Sequence, residues 1–470
     1  MLVCNYNSTP YSSRKDKARA YETKIHPRQP SAPKAVLNSI DENALNPIEP
    51  KCEPPSSIRR KNPRFSYSIR SSRSSQYSSP IIQNAPISPQ EARKNYSALL
   101  NKYELREIDD YQEIYFLGIQ HKKVQPTMSI SSNYGYDDSN SHYRALVGDH
   151  IAYRFEIRAV LGKGAFGQVI RCFDHKTKTS VALKIIVNTE IMQEQGRVEV
   201  GIIQHLNKYD KDSKHHIIRG MDFFVFRNHI CASFEILGPN LYEYSRSMRF
   251  KPIPSNAMKP ISMQILQGLA FCHSHGVVHC DMKPENILLI PGGFKNIKII
   301  DFGSSCFIGQ QRYEYIQSRF YRAPEVILGI KYGPPMDIWS FGCIVIEMMI
   351  GKPIFPGCDE HEQIEMLMEV FGPPPKEIIN ECSRRREFFS PDGRLRLPKD
   401  RRKRRQVGAI SLQQMTRIND PLLIDLLQKC FEWDQNKRIT AEEALNHPYF
   451  TAKEVQISKP QTNILPELIR

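Results

Sequence analysis

The chain has 470 residues, 40% hydrophobic and 24% charged, which is ordinary globular composition and enough for a sizeable core. Its longest apolar run, Cys343–Ile350, is short and broken by Glu347, and Met1–Tyr6 lacks a charged, apolar leader, so neither a membrane span nor a signal peptide is expected. The net charge of +15 points first towards nucleic acid, but its distribution argues otherwise. Residues 1–90 hold fourteen Lys/Arg against six Asp/Glu and residues 384–405 hold eleven against three, which leaves about −1 elsewhere and no basic recognition helix. No Gly follows Met1 and no Cys lies near Arg470, so no lipid anchor is expected. Eleven cysteines without metal-ligand spacing fit a reduced cytosolic or nuclear protein.

In chain order, residues 1–90 are rich in Ser, Pro, Asn and basic residues without a period of 2 or 3.6, and read as a disordered tail. Arg59-Arg60-Lys61 and Arg70-Ser71-Ser72-Arg73 fit a solvated tail better than a localisation or docking signal. Composition shifts at Ser88-Pro89. Glu91–Asn101 has helical spacing with Pro89 in the first turn, and Tyr111–Leu117 is too apolar to be left in a linker. With Tyr134-Gly135-Tyr136-Asp137-Asp138, His142 and Tyr143, residues 91–150 form an accessory segment expected to pack on the domain that begins at residue 151.

Arg154–Ile186 alternates like antiparallel strands. Gly162-Lys163-Gly164-Ala165-Phe166-Gly167-Gln168-Val169 joins two of them. A G-x-G-x-x-G between strands is not the dinucleotide fingerprint, which opens a helix. A flap whose bare backbone closes over phosphates and a plain hairpin turn fit it equally. Lys184 sits in the apolar strand Ser180–Ile186, where an ammonium needs a partner. Glu199, on a run with helical spacing (Val198, Ile202, Ile203, Leu206), is the natural one. Phe223–Phe226 and His229–Ile236 read as a hairpin, and Phe234–Gly238 marks the change to helix-rich sequence.

Ile261–His275 carries apolar residues at helical spacing and stops at Gly276. The stretch His279-Cys280-Asp281-Met282-Lys283-Pro284-Glu285-Asn286 then sets a carboxylate, an ammonium and a carboxamide in one loop. Ile287–Leu289 and Ile297–Ile300 read as strands around a Pro291-Gly292-Gly293 turn, and Asp301-Phe302-Gly303 ends the second. Loop, hairpin and second acid make a compact place to hold a metal-nucleotide and a hydroxyl.

Taken together, Gly162/Gly164/Gly167/Val169, Val181-Ala182-Leu183-Lys184, Glu199, His279-x-Asp281-x-Lys283-x-x-Asn286, Asp301-Phe302-Gly303, Ala323-Pro324-Glu325, Asp337-Ile338-Trp339-Ser340 and Arg438 resemble the eukaryotic protein kinases over residues 151–450. Cys280 where most kinases have Arg, Ser304-Ser305-Cys306, and Tyr313–Arg322 narrow the resemblance to the dual-specificity tyrosine-regulated kinases, the DYRK family. Tyr111–Gly118 is similar to that family's accessory region, pointing to the class II members, and Tyr134–Asp138 to its DYRK-homology box. The resemblance implies an α+β, bilobal protein-kinase fold. A small antiparallel-sheet N-lobe with one main helix would span 151–237 and a larger, mainly helical C-lobe 238–450, with a tail at 451–470.

The resemblance also implies ATP and Mg2+ as cofactors. Lys184 would bind the α/β-phosphates and be held by Glu199, while Asp301 and Asn286 would hold Mg2+. Leu161, Gly162, Lys163, Gly164, Ala165, Phe166, Gly167, Val169, Ala182 and Leu288 would line the nucleotide site. Phe234 would wall the adenine, and backbone groups of Glu235, Ile236 and Leu237 would bond the base edge. Asp281 would accept the substrate hydroxyl proton and Lys283 would neutralise the transferring phosphate. Tyr315 would be autophosphorylated, and with no arginine at Cys280 its phosphate would fall to Arg319 and Arg322. Packing of the accessory segment would support that step, so Tyr115→Asp or Phe116→Asp is expected to lower it. Protein substrates with Ser/Thr-Pro sites and an upstream arginine are expected, although no acidic contact for that arginine stands out.

Two other readings compete. A scaffold without activity is disfavoured by the intact Lys184, Glu199, Asp281, Asn286 and Asp301. A basic RNA- or chromatin-bound protein would use Arg401-Arg402-Lys403-Arg404-Arg405, but that run lies in an insert and suits a nuclear signal or docking patch better. The expectation is a monomer acting in the cytoplasm, and also the nucleus, with no membrane and no specific nucleic-acid partner.

Overall fold

The structure, a computed structural model, describes residues 82, 85–119, 122–292, 294–396 and 404–452; the tail before residue 82, Arg401-Arg402-Lys403 and the stretch after 452 lie outside the described residues. Two units result, Met1–Gln193 with Asp222–Ile236, and Glu194–Met221 with Leu237–Arg470.

In the first unit, alternating apolar strands build one six-stranded sheet in the order β1-β2-β3-β4-β6-β5. The strands are β1 (His150–Ile151), β2 (Phe155–Gly164), β3 (Gly167–Asp174), β4 (Thr179–Ile186), β5 (Gly220–Phe226) and β6 (His229–Phe234). The β5–β6 hairpin turns on Arg227 and Asn228, both at positive φ (45° and 63°), as a two-residue hairpin loop requires. At Gly167 a Cβ would come 2.3 Å from the carbonyl oxygen of Ile185, so only glycine fits between β2 and β4 there. Pairing sets Val169 opposite Lys184 and Ala182 opposite Phe234, on one face of the sheet. The residues between them, Ile170, Cys172, Val181, Leu183 and Ile185, point the other way into a core. Tyr136, Tyr143 and Val124 of the accessory segment complete that core.

The accessory segment begins with a capping box. Ser88 accepts from the Glu91 N–H while Glu91 accepts from the Ser88 N–H, and Pro89 opens the helix Pro89–Tyr96. That helix is shorter than the Glu91–Asn101 expected. Asn101 stops the helical spacing by capping the next turn, its Oδ1 accepting from the N–H groups of Tyr103 and Glu104 at 2.9 Å each. Ile108, Ile114, Leu117 and Tyr153 form a second cluster with this helix. Phe116 is buried and stacks on His175 with ring centroids 4.5 Å apart. Tyr115 is only half-buried, its phenol donating to Glu113. Glu104, Asp149 and His150 crowd their ligand atoms together, but the Lys123 ammonium, 2.6 Å from Glu104, already supplies the positive charge.

In the second unit, the helix Glu190–Tyr209 continues from its first turn, and residues 194–221 group here rather than with the sheet. The Ile218 N–H donates to Ile299 O at 2.9 Å and the Ile299 N–H to His216 O at 2.7 Å, which ties this stretch into the unit. The expected helix at Ile261–His275 is longer, Ser255–Ser274, and Gly276 ends it at φ +75°. Pro335–Ile350 is buried almost throughout, Trp339 packing edge-on to Phe431 at 5.0 Å. Glu325 and Arg438 form a buried bidentate pair at 2.6 and 2.8 Å. Part of the basic run is architectural, since Arg405 pairs with Glu369 at 2.8 Å on the helix Glu360–Phe371. Among the described residues no helix is long and apolar enough to cross a membrane.

Candidate active site

The loop His279–Asn286 is held open by one buried acid. Asp337, at the start of the helix Pro335–Ile350, accepts the His279 N–H at 2.8 Å and the Cys280 N–H at 2.9 Å. This supports Cys280 in a left-handed conformation, φ 64°. The Cys280 side chain turns inward, its Sγ 3.7 Å from that of Cys306. His279 Nε2 bonds to Ile300 O at 3.0 Å and its Nδ1 accepts the Asp281 N–H at 3.2 Å, joining the loop to the strand before Asp301.

Asp281 stands at the centre. Lys283 Nζ lies 2.5 Å from its Oδ2, and Asn286 Nδ2 donates to the Asp281 carbonyl at 2.9 Å. Its Oδ1 accepts both the N–H (3.0 Å) and the hydroxyl (2.9 Å) of Ser318, a residue that sequence reasoning missed. Lys283 also reaches Ser318 Oγ at 3.2 Å. Burial alone would lower the Lys283 pKa, but the charges of Asp281 and then Asp301 outweigh it and raise it. The ammonium therefore stays charged.

The strands Ile287–Leu289 and Ile297–Ile299 pair antiparallel, and the Ile300 N–H donates to Asn286 O at 2.9 Å. This brings Asn286 beside Asp301, which adopts φ 64°. The two offer oxygen donors, the set that a hard divalent cation takes. Gly303 lies against both acids, since a Cβ there would come 3.3 Å from Asp301 and 3.4 Å from Glu199. Glu199 is buried, and Leu288 is half-buried at the strand centre.

The sheet unit carries the other nucleotide-site candidates. Val169, Ala182, Lys184 and Phe234 share one sheet face, and Gly162 pairs with Val169 across the glycine-rich turn. Leu161, Lys163, Gly164, Ala165 and Phe166 are exposed around that turn. Lys163 pairs with Asp138 of the accessory segment at 2.5 Å. Glu235 and Ile236 follow β6 in this unit, and Leu237 begins the next.

Downstream, the Tyr315 ring is 44% exposed and lies over the Arg322 guanidinium at 3.9 Å. Arg322 is buried and spends Nε on Ile316 O (2.8 Å), Nη2 on Gln317 O (2.8 Å) and Nη1 on Glu360 (2.9 Å). Gln317 is a non-glycine residue at φ 67°. Arg319 donates to Cys358 O.

Two further acids escaped the sequence reading. Glu285 is half-buried, and its Oε2 has no hydrogen-bond partner among the described residues. Burial, and next to it Asp281 among the neighbouring acids, raises its pKa. Glu347 accepts the Tyr321 hydroxyl at 2.6 Å, and burial together with Glu285 pushes its carboxyl up to about 7. The signals were visible as the Glu of Lys-Pro-Glu-Asn and as the one charge beyond the first turn of an apolar helix. Nothing local said that the charge of one acts on the other.

An antiparallel sheet unit, a helix-rich unit, and a loop and hairpin that group a carboxylate, an ammonium and two oxygen donors are the arrangement of a protein kinase. The family model for the protein kinase domain matches residues 155–450. The chain is 42% identical to the DYRK-family kinase pom1 of Schizosaccharomyces pombe, over 80% of this chain and 35% of that protein. It is 42% identical to dual specificity tyrosine-phosphorylation-regulated kinase 2 of Drosophila melanogaster over 78% of this chain and 51% of that protein. With kinase 3 of the same series from Homo sapiens the identity is 38%, over 91% and 74%. The chain thus spans about a third to three-quarters of the length of these relatives. It belongs to the DYRK family of protein kinases.

Proposed function

We propose that the chain is an active, ATP- and Mg2+-dependent dual-specificity protein kinase that phosphorylates its own Tyr315 and then protein substrates on Ser or Thr. The observation that carries this reading is the single hydrogen-bonded set of Asp281, Lys283, Asn286 and Ser318. With Oδ1 occupied twice by Ser318 and Oδ2 bonded once by Lys283, Asp281 keeps its remaining lone pair on Oδ2 for the proton of an incoming hydroxyl. Lys283 carries three donors; two reach Asp281 and Ser318, and one remains for a phosphoryl oxygen. Lys184, on the sheet face with Val169 and Ala182, would hold the α/β-phosphates. Asn286 and Asp301 would hold the Mg2+, which would supply positive charge to neutralise that of the phosphates. The chain's own residues supply position and electrostatics, which provide most of the rate in phosphoryl transfer.

Substrate choice follows from two features. The Gln317 carbonyl is turned towards Arg322 and occupied by it, so a substrate residue lying there would find no acceptor for an amide N–H. Proline, which has none, is favoured after the phosphoacceptor. Glu285, whose Oε2 has no hydrogen-bond partner, and the buried Glu347, whose charge Glu285 opposes, are among the described residues two acids with no cation of their own, which supports an arginine upstream of the phosphoacceptor as their partner.

Phosphosite mass spectrometry on protein made in bacteria tests the reading. Wild type is expected to carry phosphate on Tyr315, and Asp281→Asn to carry none. Lys184→Arg and Asp301→Asn are expected to abolish transfer without changing the melting temperature. Modified Tyr315 in Asp281→Asn, or near-normal transfer in either other variant, would sink the assignment.

A further inference from the structure

Arg322, which occupies the Gln317 carbonyl, is itself held. Its Nη1 donates to Glu360 Oε1, and Glu360 is buried at the first turn of the helix Glu360–Phe371. The other oxygen of Glu360 pairs with Arg384 Nη2 at 2.8 Å. Arg384 is fixed in turn from two sides. Its Nη1 donates to Ile327 O at 2.8 Å, while its Nε and Nη2 meet both oxygens of Glu387 at 2.9 and 2.7 Å. A relay of charge-assisted bonds therefore runs from Glu387 through Arg384 and Glu360 to Arg322 and ends on Gln317 O. Arg384 lies 62 positions beyond Arg322 in the sequence and touches none of the reacting groups described above.

We propose that Arg384 is a positioning residue for substrate selection. Through Glu360 it holds the Arg322 fork on the Gln317 carbonyl, and so sets how strongly proline is preferred after the phosphoacceptor; this rests on the proline-directed reading above. Glu360 carries one negative charge between two guanidiniums. Without Arg384, the buried carboxylate would lose one of its two charged partners and be free to turn away from Arg322. Gln317 O would then become available to an amide N–H, and the penalty on residues other than proline would shrink. The rate on a proline-free peptide has no reason to fall.

The test compares two peptides, identical except for Ser-Pro or Ser-Ala, on the full chain. Wild type, Arg384→Met, Arg384→Lys and Glu387→Gln are assayed for kcat and KM, with melting temperatures recorded. In Arg384→Met the Pro/Ala ratio of kcat/KM is expected to fall about tenfold through a rise in the Ser-Ala value, the size of one charge-assisted contact at a selective site, with the Ser-Pro value within about twofold of wild type. Arg384→Lys, which keeps the charge but not the fork, is expected to recover part of the ratio. An unchanged ratio in Arg384→Met overturns the proposal. So does an equal loss on both peptides, which would mark Arg384 as merely structural. Should Arg384→Met fail to fold, Glu387→Gln decides, because Glu387 is 47% exposed and only steadies Arg384. A lowered ratio there supports the relay and an unaltered one refutes it. Wild type indifferent to proline would instead remove the proline-directed reading, and this inference with it, before any variant is made.

Discussion

The two units each bury a group of charges, and the two groups differ in one respect. In the sheet unit, Arg227 is fully buried and meets Glu107 with two nitrogens (3.0 and 2.8 Å), the Tyr143 hydroxyl at 3.0 Å and the Tyr136 ring at 3.8 Å. Its neighbour Glu104 is met by Lys123 at 2.6 Å and His150 at 2.9 Å. Burial by itself would raise the Glu104 pKa, but the His150 hydrogen bond and the charges of Lys123 and Arg227 hold it well below the usual carboxylate range. Two acids face two cations. In the helix-rich unit, Glu285 Oε2 has no hydrogen-bond partner among the described residues, Glu347 accepts the Tyr321 hydroxyl, and the nearby Lys283 is committed to Asp281. A saturated charge group is architecture, whereas a group one cation short is a place for a ligand to bring that cation.

The largest effect that would break this comparison lies in the saturated group. Arg227→Met strands Glu107 and is expected to cost about 3–5 kcal/mol in a urea melt, with activity per folded molecule unchanged. A neutral melt would mean that the network is not what joins the accessory segment to the sheet. Nearly as large is Phe116→Asp, which puts a charge where a buried ring stacks on His175, at about 3–4 kcal/mol and with reduced Tyr315 phosphate in mass spectra. Tyr115→Asp is expected to change stability by less than about 1 kcal/mol, because that ring is half-exposed. Equal effects at the two positions would contradict the burial described.

The acid pair makes smaller but opposite predictions. With its folded pKa raised from 4.5 to about 7, Glu347 holds a proton that the unfolded chain has already released between those values. Its contribution is complete below 4.5 and lost as pH rises through 7, about 3 kcal/mol in all. Glu347→Gln should flatten that part of a stability-against-pH curve measured by denaturant. In wild type, the KM for an arginine-bearing peptide should fall as pH rises from 6 to 8 and the carboxylate forms. Glu285→Gln should raise that KM about tenfold and leave an alanine-substituted peptide unaffected. A similar change for both peptides would remove Glu285 from the arginine site.

Much of the site could be read directly because its parts are close in sequence. Asp281, Lys283 and Asn286 share one loop, and a two-strand hairpin brings Asp301 back to Asn286. Val169, Ala182 and Lys184 follow from strand alternation and pairing. Ser318 was missed because it lies 37 positions from Asp281 and is an ordinary serine until the chain folds back. The action of the Glu285 charge on Glu347 was hidden for the same reason.

By itself, then, the sequence determined the kinase family and the order of elements and marked out the candidate site residues, since period, turn residues and short-range spacing act locally. Only the tertiary structure decided which of these residues are completed by distant partners. Asp337 holds the loop of Asp281, Ser318 caps the base, Arg322 occupies Gln317 O, and Glu360 and Arg384 stand behind Arg322. The reason is physical. A buried polar group must be satisfied, but composition and spacing do not say by which of many donors, and that choice is made when the core packs.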